Sequence, residues 1–183
     1  MLDTLDTDWI AIAAPLVAGV AMILWYGYAP DRLKGPRATW WNTLRRVLLP
    51  MVNRLGHRHG LGYASYALSE EEFVGTADAS ISEVEAALWE LGFERMPLSA
   101  LKETPDGRIE QGSWAYRAGP LAERQLHVML FEADGGLDLY AHDEFNAFHP
   151  RYALKHYRGV GLDPAAGETQ LREMLADSSI LKE

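Results

Sequence analysis

From Trp9 to Pro30 the chain runs for 22 residues without a charged side chain, and that run limits every fold open to it. A helix rises about 1.5 Å per residue, so ~20 apolar residues cross a ~30 Å hydrocarbon core. Trp9 stands at one end of the run, and Trp25, Tyr26 and Tyr28 stand at the other. Amphipathic rings of this kind prefer the headgroup level. Pro15 and Gly19 weaken a helix but are tolerated in spans. A cleaved signal peptide starts with basic residues and ends on a small-residue cleavage site. Here Asp3, Asp6 and Asp8 precede the run, with no Lys or Arg among them. The segment therefore reads as a single transmembrane helix in preference to a signal peptide or a buried core helix.

The flanks set the orientation. Residues 1–60 carry seven basic and four acidic groups, net +3, and all seven basic groups follow the span. The positive-inside rule then places the N-terminus outside and residues 31–183 inside, or on the equivalent side of a virion membrane. Pro30, Gly35 and Pro36 punctuate the exit. Beyond them Trp40, Trp41, Leu44, Val47, Leu48, Met51, Val52 and Leu55 fall within an arc of about 140° on a helical projection. Asn42, Arg45, Arg46 and Asn53 lie off that arc, Leu49 is the exception on the polar side, and Pro50 should kink the helix or end its first half. A basic amphipathic helix with two Trp beside a span is expected in the headgroup plane, with Trp40, Trp41, Arg45 and Arg46 at the interface. The competing expectation is that its apolar face packs as ordinary core on the rest of the chain.

Residues 61–183 carry ten basic and 22 acidic groups, net −12. Phosphate contacts need Lys and Arg, so this part is not built for nucleic acid. The local basic-aromatic patch at Arg151, Tyr152, Lys155, Tyr157 and Arg158 suits a protein contact or ion pairs with acidic neighbours better. The chain has no Cys, which excludes disulfides, thiolate metal sites and Cys nucleophiles. It has four Lys among its 17 basic residues. Low Lys and abundant surface acid fit a protein kept soluble in concentrated salt, where a Debye length of about 3 Å or less removes long-range steering.

The acidic part reads as one α+β domain over residues 63–183, following a span at 1–30 and an interfacial helix and hinge at 31–62. Residues 72–77 suggest a short strand. Ser82 with Glu85 forms a capping box, with Ser80 and Glu83 as the rival one turn earlier. Val84, Ala87, Leu88 and Leu91 give a helical stripe that ends at Gly92. Residues 93–101 and 109–116 flank Thr104-Pro105-Asp106-Gly107, a hairpin signal. Residues 125–132 are apolar on both faces and should form the sheet centre, turning at Asp134-Gly135-Gly136 into a strand over 137–142. Asp163-Pro164 caps a last helix with Leu171, Met174 and Leu175 on its apolar face. The order β-α-β-β-β-β-α predicts a two-layer domain: a mainly antiparallel sheet with helices on one face.

Catalytic motifs are missing. Gly159-Val160-Gly161 lacks the context of a nucleotide loop, Ser65 and Ser113 lack a nucleophile elbow, and His57 and His59 supply only two ligands. Pairing of the last two strands could bring His127 beside His142, with Asp143 following. Such a cluster could bind a divalent metal or work as acid and base in a tethered hydrolase or a ligand-binding module, although hydrogen-bonded structural histidines explain it as well. Two-histidine phosphoesterases place Ser or Thr two residues after each His, whereas Met129 and Glu144 stand there. The seven-residue spacing of His142, His149 and His156 is broken by Pro150 and reads as chance. No cofactor, catalytic residue or metal ligand is assigned from these patterns.

Three phrases carry a likeness: Ala87-Leu88-Trp89-Glu90-Leu91-Gly92-Phe93, Gln125-Leu126-His127-Val128 and Leu154-Lys155-His156-Tyr157-Arg158. In them the chain resembles a group of uncharacterised haloarchaeal membrane-anchored proteins, often associated with viruses or proviruses. The resemblance covers the C-terminal two-thirds and implies no catalytic residues. Together these observations point to a non-enzymatic single-pass membrane protein whose acidic domain docks a protein assembly, as in a membrane-containing virus or a host envelope complex. The expected partners are the bilayer and proteins of that assembly. Ala18, Gly19 and Ala21 also leave self-association of the span open.

Overall fold

The computed structural model describes residues 31–58, 65–97, 99–176, 178 and 180–181, together with Val20. The proposed span, with Trp9, Trp25, Tyr26 and Tyr28, otherwise lies outside the described residues. Among the described residues no helix is long and apolar enough to cross a membrane.

A short helix α1 (Asp31–Lys34) leads into α2 (Trp40–Arg58). Then come β1 (Ser65–Ala67), a 3-10 turn (Glu70–Glu72), β2 (Phe73–Ala77), α3 (Ile81–Glu90), β3 (Glu94–Arg95) and β4 (Leu101–Glu103). The chain continues with β5 (Gly112–Tyr116), β6 (Arg124–Ala133), β7 (Gly136–Phe145), α4 (Ala153–Tyr157) and α5 (Pro164–Leu175). Five strands form an antiparallel sheet in the order β2-β7-β6-β5-β3, and β1 and β4 pair in parallel as a separate ribbon. The fold is α+β, with β6 as the middle strand of the large sheet.

Alternation along the strands explains the layering. Trp114, Leu126, Val128, Leu130, Leu139 and Ala141 turn to one face and are buried. There they meet Val84 and Leu88 of α3 and Leu171 and Leu175 of α5. Both long helices of the domain therefore cover the same face. The opposite face changes character along its length. Met129, Phe131 and Tyr140 pack with Leu68 at one end, and His127, His142, Gln125 and Glu144 lie buried at the other.

The local signals hold with three adjustments. Ser80, not Ser82, caps α3, and its box partner is Glu83. Glu85 is thereby freed to turn inward, where it is fully buried. The stretch over 93–101 is split between β3, which pairs with β5, and β4, which pairs with β1. Pro97 falls between them and has no N–H to continue a ladder. The turn at 104–107 does form, closed by Gly107 N–H donating to Thr104 O at 2.9 Å with Gly107 at φ +86°. Last, α2 runs on through Pro50. Pro50 and Arg46, whose carbonyl loses its partner, are both exposed, so the cost is met outside the core.

Candidate functional site

Two features bear on function, the seating of α2 and, on the second sheet face, a buried cluster of histidines and carboxylates.

Helix α2 meets the domain with its polar side. Arg45 is buried and forms a forked pair with Glu110, Nη1 to Oε1 at 2.9 Å and Nη2 to Oε2 at 3.3 Å. The same guanidinium donates to Ser99 Oγ at 2.7 Å and Ala100 O at 3.1 Å. Asn42 donates to Glu85 Oε1 at 3.3 Å and accepts from Arg95 Nη1 at 3.0 Å. Arg95 in turn pairs with Glu85 at 2.6 Å and lies 4.6 Å above the Trp114 ring. Arg46 donates to Gln111 Oε1 from the exposed flank. The expectation of Arg45 at the headgroups is therefore corrected: a buried carboxylate claims its guanidinium. Part of the apolar stripe faces away from the domain, while Trp41 and Leu44 are half-buried. Trp40, Val47, Leu48 and Met51 are exposed, and Trp40 stacks on Trp41 at 4.0 Å.

The histidine cluster follows from strand register. His127 on β6 stands directly opposite His142 on β7, and their rings meet edge to face with centroids 5.1 Å apart. The strand predicted over 137–142 extends to Phe145, so period-2 alternation brings Glu144 to the same face. Asp143 is turned to the other face, a correction of its expected place in the cluster. It pairs with Arg124, and its backbone pairs with that of Asp163 at the start of α5. His156 of α4 completes the group. Glu144 accepts three approaches: His127 Nδ1 at 3.2 Å, His142 Nε2 at 3.5 Å and His156 Nδ1 at 3.0 Å. His149 is elsewhere, tilted against Tyr152 at 4.6 Å.

A further ring of groups fixes the cluster. Glu72 Oε1 lies 2.7 Å from His142 Nδ1, while its Oε2 accepts from Ser69 N at 2.6 Å. Ser113 Oγ lies 2.8 Å from His127 Nε2 and 2.7 Å from Ser99 Oγ. Gln125 donates to Glu144 Oε1 at 2.6 Å. Hydrogen bonds thus run without a break from Arg45 on α2 through Ser99 and Ser113 to His127.

Burial and neighbours divide the charges. Burial, aided by the nearby Lys102 ammonium and opposed by Glu144, pushes His127 down to about 3, so its imidazole is neutral. Burial also opposes charge on His142, but its hydrogen bonds to Glu144 and Glu72 prevail and raise it. For Glu144 burial pushes upward and is outweighed by His156, His127 and His142, which hold the carboxyl well below its usual range. Burial lowers Lys102 despite Glu110 and Glu144 close by.

No family model matches the chain, and no curated protein or solved structure matches it. Sequence reasoning found His127 and His142 but missed Glu144, Glu72, Ser113 and His156. Strand parity, applied one turn of the pleat further, was the available signal for Glu144. Ser113 and His156 come from the elements that precede β6 and follow β7, and Glu72 from a turn 70 residues from His142.

Proposed function

We propose that this protein is a membrane-apposed docking domain. The 9–30 run anchors it, α2 lies in the interface, and the acidic α+β domain engages a protein assembly on the inner side. The observation that supports this reading is the orientation of α2. Its polar side holds the domain through buried Arg45 and Asn42, while Trp40, Val47, Leu48 and Met51 face outward. An amphipathic helix seated this way presents its apolar face to lipid at the end of an anchor. The finer reading, a structural component of a membrane-containing haloarchaeal virus or a host envelope complex, rests on the resemblance of the three sequence phrases. The N-terminus is proposed outside and the domain inside.

The chain has no Cys, so single introduced cysteines report without background. Nitroxide labels at Val47→Cys and Met51→Cys in the full-length protein, reconstituted in vesicles, should collide with lipid-soluble oxygen. A label at Leu121→Cys, on a residue 68% exposed on the domain, should collide with a water-soluble nickel chelate instead. Water accessibility at 47 and 51 equal to that at 121 refutes the interfacial placement. Release of the full-length protein by alkaline extraction refutes the anchor. Cross-links from residues 65–176 to a repeating structural protein at the working salt are expected of the docking role.

A further inference from the structure

We infer that His127, His142 and Glu144 form a binding site for a divalent first-row transition ion of the zinc class, with His156 beside the carboxylate. The inference is independent of the membrane reading. It rests on the arrangement of donor atoms. In a tetrahedral zinc site with bonds of about 2.0–2.1 Å, neighbouring donors lie ~3.3 Å apart. Glu144 oxygens stand 3.2, 3.5 and 3.0 Å from His127 Nδ1, His142 Nε2 and His156 Nδ1. Donor atoms of His127, His142 and Glu144 all lie within 4.8 Å of one another.

The groups behind the donors have the form that metal sites require. A ligating histidine is oriented by a partner on its other ring nitrogen, which fixes its tautomer. His142 Nδ1 has Glu72, and His127 Nε2 has Ser113. In each case the other ring nitrogen is the one that faces Glu144. Gln125 holds the carboxylate itself. Imidazole with a carboxylate and no sulfur suits zinc, copper, iron or nickel, and not calcium or magnesium, which take oxygen ligands.

The ligand count also speaks to role. Catalytic zinc keeps an open position for water, whereas structural zinc is closed by four protein ligands. Two imidazoles and one carboxylate, all from β6 and β7, supply three protein ligands and leave the fourth position of a tetrahedral shell open. An ion here ties the two central strands together and, through Glu72, holds the 3-10 turn.

The test uses the full-length protein in detergent, without a polyhistidine tag. The protein is stripped with a chelator, and zinc and cobalt(II) are titrated in. We expect one ion per chain, a melting temperature that rises with added zinc, and cobalt absorption of the intensity typical of four-coordination. His142→Ala and Glu144→Gln should abolish stoichiometric binding, while His149→Ala should leave it intact. Where His142→Ala does not fold, Glu144→Gln decides, because the amide keeps the shape of the carboxylate and loses its charge. That variant should weaken zinc binding by at least tenfold and remove the four-coordinate cobalt intensity. A folded wild-type protein that takes up no stoichiometric zinc or cobalt overturns the inference. Equal affinity in the wild type and Glu144→Gln overturns it too.

Discussion

His127 and His142 stand opposite each other on the two central strands, their rings at 89° and their centroids 5.1 Å apart. Each has a different supporting partner, Ser113 for the first and Glu72 for the second. The two strands thus present one nitrogen from each ring to a shared carboxylate, Glu144.

Ser113→Ala tests that support without touching a donor atom. Removal of the partner of a ligating histidine typically costs 10–100-fold in metal affinity. We expect a loss of about that size in zinc affinity with an unchanged circular dichroism spectrum. Equal zinc affinity in the variant and the wild type contradicts an orienting role for Ser113.

Arg45→Ala should destabilise the protein strongly. It leaves Glu110, whose side chain is 0% exposed, without its forked partner. Breaking a buried pair from one side costs about 3–5 kcal/mol. Arg45→Lys should recover only part, because an ammonium cannot reproduce the fork. Urea unfolding provides the measurement, and a loss below ~1 kcal/mol would mean that α2 is held to the domain by other contacts.

Gly167 lets α5 approach β7 closely. A Cβ built there lies 2.3 Å from His142 Cα and 2.6 Å from its carbonyl carbon, both backbone atoms that cannot swing aside. Gly167→Ala must push the helix from the strand that carries His142. Overpacking of this kind costs typically about 1–3 kcal/mol. The same variant should also weaken zinc binding, which a purely local helix defect would not.

Acid should unlock the start of α3. The Ser80 hydroxyl donates to Glu83 Oε2 at 2.6 Å and the Ser80 N–H at 2.8 Å. These bonds, the hydroxyl first, hold the carboxyl below its ordinary value of 4.5. A group depressed in the fold stabilises above its unfolded value and loses that contribution as pH falls through its folded value. The melting-temperature gap between wild type and Glu83→Gln should therefore be full near neutrality and narrow progressively below pH 4.5. A gap that persists unchanged in acid means that the capping contact does not depend on charge.

By itself the sequence determined the elements whose signals are local. Alternation of Leu126, Val128 and Leu130 with His127, Met129 and Phe131 gave the central strand. Asp163-Pro164 gave the start of α5, and the stripe Val84, Leu88 gave the buried side of α3. These signals survive because periodicity and capping act within a turn or a pleat. The apolar arc of α2 was legible too, but not what its polar side would do. Arg45 reads as a surface cation until Glu110, 65 residues away, is folded beneath it. The site was only half visible for the same reason. His127 and His142 could be paired from neighbouring strands, whereas Glu72 and His156 arrive from the 3-10 turn and α4. The choice of Glu144 over Asp143 depended on three more residues of strand. Only the tertiary structure decided these, because burial makes a distant carboxylate the one available partner for a buried cation or imidazole.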